Sequence, residues 1–387
     1  MKTSFAKSSR LLRSACSVAF VCALPAVAAC NDDDDFGGGG TAGTTQVGTF
    51  SGLFDDVVTG YNFPFDIGIV PGDPAVEPDI GVGDIVAANY GTSELLRVDD
   101  PSGPVAPRAA QPFYPGSESG LSGATAVSVL PGGSVWATFE QGGADGAGGI
   151  VVLDPNGARR ALLDAATEPG AFANPGGICY GGATNENPAR QLIFFVNLGD
   201  GTAWRVSAAT VLGQDPVLAR VGGGLASGTP GNPGQPGNEL SSSSDLPEGG
   251  ARGCAYADGR LYVADAQNAR IMRFDGAAAG VDVVPAALED TPENLVTYPT
   301  DVTINNEGAL IVISYDNAHA FVTLELPGGG FIDNGLHDLN VNSGNYGVAV
   351  AENTIWFTRA NNSNGALRAI TENQSVPPST VGDFPVQ

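Results

Sequence analysis

Few residues in this chain could do chemistry. Two histidines, His319 and His337, are too few for a zinc site of their own. Gly116-Ser117-Glu118-Ser119-Gly120 has the outline of a nucleophile elbow but puts Glu where the nucleophilic Ser must stand. With no Ser–His pairing in view, serine-type acyl transfer has no support. Cys179 and Cys254 do not form a C-x-x-C, and two readings stay open for them: a disulfide in an oxidising compartment, or two buried thiols. Asp66, Arg252 and Asp301 remain, each inside a repeated block. A carboxylate there can cap a turn by accepting backbone N–H bonds. Arg252, at a variable position, can grip a carboxylate or phosphate bidentately or pair with Asp301 or Asp66. Asn89, Asn197 and Asp265 end strands and read as turn caps, and Arg359 as a solvated strand end.

The elements that position these residues recur. A Pro or other small residue, a variable residue, Asp, Gly or Ala, and then alternating apolar positions appear at 64–69, 124–129, 175–180, 251–256, 299–304 and 345–350. Alternation at period two marks a half-buried strand. Each block precedes a more apolar strand beginning at 85, 135, 192, 261, 310 or 355, and a third strand follows each of those. Turns such as Ala257-Asp258-Gly259 and Asn306-Glu307-Gly308 supply the positive-φ residues that hairpins need. Six such units predict an all-β chain, a six-bladed β-propeller of mostly four-stranded blades. Thr45 to Leu53 is the segment expected to close the ring against C-terminal residues.

Gly259-Arg260-Leu261-Tyr262-Val263-Ala264-Asp265, followed by Asn268-Ala269-Arg270-Ile271-Met272-Arg273-Phe274, resembles a propeller repeat of the NHL or SMP-30/gluconolactonase type. The resemblance implies functional groups around one mouth of a central channel. It also implies a divalent metal, Ca²⁺ or another cation, held there by an acidic residue and side-chain amides to activate water or polarise a lactone or ester carbonyl. The matching inner-strand positions are Asp66, Ala126, Gly177, Gly253, Asp301 and Gly347, so Asp66 and Asp301 are the implied ligands, on blades one and five. The Glu-Gly-Pro and Arg-Pro-Asn-Asp signatures of that family are absent.

Residues 1–29 read as a lipoprotein signal peptide. Lys2, Lys7, Arg10 and Arg13 precede an apolar stretch too short to span a bilayer, and Leu24-Pro25-Ala26-Val27-Ala28-Ala29-Cys30 resembles a lipobox with Cys30 as the lipidated residue. Residues 30–45, acidic and then Gly-rich, read as a tether. The propeller is expected over 46–387, with a long loop insertion at 222–250 whose low hydrophobicity suggests a mobile surface loop. Asn31, not Asp, follows Cys30, which favours the outer over the inner membrane. The chain has 387 residues and a net charge of −25, which excludes a phosphate-binding footprint and so a nucleic-acid partner. The expectation is a binding or scaffold module, lipid-anchored in the bacterial cell envelope and facing periplasm or exterior, with a protein or glycan ligand. The alternative is a metal-dependent lactonase or esterase of SMP-30-like type.

Overall fold

The computed structural model describes residues 55–71, 83–99, 110–183, 190–209, 216–223, 240–243, 250–277, 284–287, 298–304, 310–315, 319–325, 331–338, 344–351, 354–360 and 365–371. Cys30, the signal segment and the tether lie outside these residues. Strands dominate what is described, with three short 3₁₀ turns, at Tyr90–Thr92, Gly116–Glu118 and Ala266–Asn268.

The described strands fall into six four-stranded antiparallel sheets, and the fold is a β-propeller. Their innermost strands are Pro64–Ile69, Leu121–Val129, Pro175–Ala183, Ala251–Ala257, Pro299–Ile304 and Asn345–Ala351. Each packs against the next, and the sixth packs against the first. The second strands are the near-continuous apolar runs of the sequence: Ile85–Asn89, Val135–Gly142, Arg190–Asn197, Arg260–Asp265, Leu310–Ser314 and Thr354–Arg359. All five residues of Ile85–Asn89 and of Leu310–Ser314 are buried, because a sheet stacked between two others has no wet face. The core therefore lies between sheets. One cluster joins Val86 and Leu95 of the first sheet to Val127 and Phe139 of the second, and another joins Phe194 and Val196 of the third to Val263 and Phe274 of the fourth. Each such side chain contributes about 1.5–3 kcal/mol by leaving water.

One irregularity repeats. Every inner strand shifts register near its start, between residues 64 and 66, 124 and 126, 175 and 177, 251 and 254, 299 and 301, and 345 and 348. Such bulges bend a strand and re-aim its side chains. Here they fall at the positions of Asp66, Arg252 and Asp301.

The sixth sheet is closed by Asp55–Tyr61, which pairs antiparallel with Gly365–Thr371. The closing strand thus begins after the segment 45–53 expected for it, which lies outside the described residues. The insertion is also different in part from the expected mobile loop. Leu240 is 3% exposed and packs in the core, and Ser241 is 0% exposed. Ser241 accepts a hydrogen bond from Ala251 N, which seats it against the start of the fourth inner strand.

Candidate functional site

The six inner strands surround an axial cavity of about 250 Å³, running from Asp66 and Asp301 toward Ile69, Ile304 and Val350, where the strands finish. The strands approach one another closely at the carboxylates. A Cβ on Gly253 would run into the Asp301 carboxylate, and one on Gly347 would lie 2.5 Å from Asp66 Cα. Only glycine lets the strands approach this closely. The absence of side chains at these two positions is what allows two carboxylates from non-neighbouring sheets, the first and the fifth, to meet.

Both carboxylates are held by backbone. Asp66 accepts Ile67 N at 2.7 Å and Val127 N at 2.9 Å, one on each oxygen. Asp301 accepts Val302 N and Val348 N, both at 2.8 Å, again one on each oxygen. Each thus ties its own inner strand to that of the following sheet. Burial pushes Asp66 up to about 7 against the pull of these N–H bonds. Burial first, and then the Asp66 charge, hold Asp301 well above the usual carboxylate range. With both carboxyls raised by burial and each acting on the other, the pair retains a proton near neutral pH.

Arg252 stands at the other end, where the strands begin, and is 5% exposed. Its guanidinium lies 5.3 Å from the Tyr346 ring centroid and 5.9 Å from that of Phe65. Burial lowers its pKa, while Tyr346, Tyr298, Glu140 and Tyr90 act to raise it. Rings adjoin around it: Phe65 stacks on Tyr90 at 4.7 Å and meets Tyr346 at 4.5 Å, and Tyr315 meets Tyr346 at 5.3 Å. The Tyr90 hydroxyl donates to Glu140 Oε1 at 2.6 Å, and Gln141 Nε2 donates to the same oxygen at 2.8 Å. Burial raises the Glu140 pKa. Sequence reasoning named Arg252 but missed Tyr90, Glu140 and Tyr346. The available signal was position: Tyr90 and Glu140 directly follow second-strand runs, at the end of the ring where Arg252 emerges.

Cys179 and Cys254 form a disulfide between the third and fourth inner strands, with Cα atoms 5.7 Å apart, and both line the cavity. His319 and His337 lie on the two outer strands of the fifth sheet, His319–Glu325 and Phe331–Asp338. The strand-end caps are pins. Asn89 Oδ1 accepts Asn62 N at 2.8 Å, Asn197 Oδ1 accepts Ala173 N at 3.2 Å, and Asp265 Oδ1 accepts Ser241 N at 2.9 Å.

The hard cation that the repeat resemblance implied does not fit between Asp66 and Asp301. It needs about six or more oxygens. The two carboxylates supply four oxygens, each already accepting a backbone N–H, and Ala126, Gly177, Gly253 and Gly347 offer no side-chain oxygen, so the set falls short. Among the described residues no three His, Cys, Asp or Glu side chains converge.

No protein-family model matches the sequence, and neither does any curated protein. Solved structures share the fold. A structural-genomics gluconolactonase candidate superposes with a TM-score of 0.55 at 12% identity, covering 85% of this chain and 94% of that one. A gluconolactonase of Xanthomonas campestris gives 0.51 at 10% identity, covering 81% and 87%. A virginiamycin B lyase of Staphylococcus aureus gives 0.47 at 14%, covering 82% and 96%. At such identities the likeness establishes a propeller of this general kind.

Proposed function

We propose that this chain is a lipoprotein of the bacterial cell envelope whose six-bladed propeller binds a small ligand in its axial cavity. The observation that carries the reading is the cavity itself, walled by all six inner strands and ended by the Asp66–Asp301 pair. That end wall offers a retained proton and the remaining carboxylate lone pairs, which suit a small uncharged or cationic ligand with polar groups. The net charge of −25 works against anions. Two features support the address. The lipobox-like run ending at Cys30 supplies an anchor, outer membrane over inner, and the Cys179–Cys254 disulfide suits an oxidising compartment. In this reading the rim of the ring is left to a protein or glycan partner.

The second reading is a metal-dependent lactonase or esterase of SMP-30-like type, favoured by the likeness in fold to the two gluconolactonase structures. Thermal unfolding of the mature chain separates the two. EDTA, then Ca²⁺, Mg²⁺, Mn²⁺ or Zn²⁺, is expected to leave the midpoint unchanged. A small-molecule panel is expected to contain compounds that raise it saturably, and an Asp66→Asn variant to lose that response. A ligand at 100 times its Kd adds about 2.7 kcal/mol. A saturable shift with one metal overturns the binding reading in favour of the hydrolase. For the anchor, Cys30→Ala is expected to move the protein from the membrane pellet to the soluble fraction.

A further inference from the structure

Asn345 opens the sixth inner strand, and Ser314 ends the second strand of the fifth sheet; both are 0% exposed. Neither Nδ2 nor Oδ1 of Asn345, nor the Ser314 hydroxyl, makes a hydrogen bond within the protein. They stand on facing segments. The Thr300 hydroxyl lies 3.1 Å from Asn345 O and 3.3 Å from Ile313 O, and Gly344 N donates to Tyr315 O at 3.4 Å. Both residues break the repeat. The positions matching Asn345 hold Pro64, Ala124, Pro175, Ala251 and Pro299, and those matching Ser314 include the pins Asn89, Asn197 and Asp265. Serine is too short to make the pin that those longer side chains make directly.

A buried carboxamide open at both ends, on a segment facing that of an open hydroxyl, calls for a small occupant that both donates and accepts. Bare cations fail the first requirement, since the amide N–H₂ repels them, and anions fail it at Oδ1. We propose that the seam between the fifth and sixth sheets is a binding site for an ordered water, bonded to the Asn345 carboxamide and the Ser314 hydroxyl in place of the missing pin.

A crystal structure of the mature chain is expected to show a water about 2.7–3.2 Å from both side chains. An empty seam, or an amide bonded directly to protein, would overturn the proposal. The variants test it by sign. If water satisfies the amide, Asn345→Ala strips that water of partners and lowers the unfolding midpoint by about 2 °C. If the amide is an orphan, the same change relieves it and raises the midpoint, which refutes the site. Ser314→Asn, which restores the residue of the first and third sheets, is expected to displace the water and raise the midpoint. Retention of the water in Ser314→Asn, or a lowered midpoint, counts against the assigned ligands.

Discussion

Changing Asp301 to asparagine (D301N) probes proton retention where the two carboxylates meet. Both carboxylates titrate above the unfolded-chain value, Asp66 at about 7 and Asp301 well above the usual carboxylate range, because burial dominates. The folded chain therefore binds more protons than the unfolded one. The resulting stabilisation is complete below about pH 4 and is lost as pH rises through 7. Each proton retained on folding gives a slope of about 1.4 kcal/mol per pH unit. Asp66 alone, moved by roughly three units, accounts for up to about 4 kcal/mol between pH 4 and 7. That figure is an upper one, since part of its side chain faces cavity solvent. The wild type carries two such raised carboxyls and D301N only one, so the wild-type stability is expected to fall more steeply with pH over 5–7. The variant also starts lower, by about 1–3 kcal/mol at pH 5. An asparagine has one oxygen for Val302 and Val348 and turns its NH₂ against the other N–H. Urea unfolding followed by tryptophan fluorescence at pH 5, 6 and 7 reads both effects. Parallel pH dependences for the two proteins would refute the retained-proton account.

Three other outcomes follow from packing and cross-linking. The Cys179–Cys254 bond spans 75 residues, so a double serine variant, or reduction, is expected to cost about 4 kcal/mol in the chain-entropy model, visible as a fall in Tm. Asp265 is 0% exposed and accepts bonds from Ser241, Asn268 and Arg270; D265A is expected to cost about 3–5 kcal/mol in urea unfolding and D265N clearly less. In G253A the new methyl group meets a carboxylate fixed by two backbone bonds, which is expected to cost about 1–3 kcal/mol and to alter the pH dependence of stability as well.

The strands were legible because a propeller writes them as local patterns. Period-two alternation at 64–69 and 299–304, and near-continuous apolar runs at 85–89 and 310–314, each follow from how many faces a strand buries. Asp66 and Asp301 were legible as candidates for one channel mouth, but how closely they meet was not. It depends on side chains converging across a closed ring, and on Gly253 and Gly347 having none, which no local window records. The cysteines posed a similar problem: consecutive inner strands were identifiable, but the 5.7 Å approach of their Cα atoms depends on how tightly the strands pack. Ser241 was read as part of a polar insertion. Its burial follows from Asp265, whose carboxylate accepts both the N–H and the hydroxyl of Ser241 across the sheet end.

The antiparallel clasp of Asp55–Tyr61 on Gly365–Thr371 sets the order in which the molecule can be completed. Tyr61 lies opposite Gly365, so the first strand waits for almost the last. A chain emerging from its N-terminus can stack its sheets one on another as they appear, since each hairpin needs only nearby residues. The clasp instead requires loop closure over most of the chain, the slow kind of contact. Until then Ile67 and Ile85, which finally pack with Trp356 and Leu367, face solvent on an open crescent. Sealing is thus one late event, and a chain stalled short of residue 365 leaves that sticky face available to its neighbours.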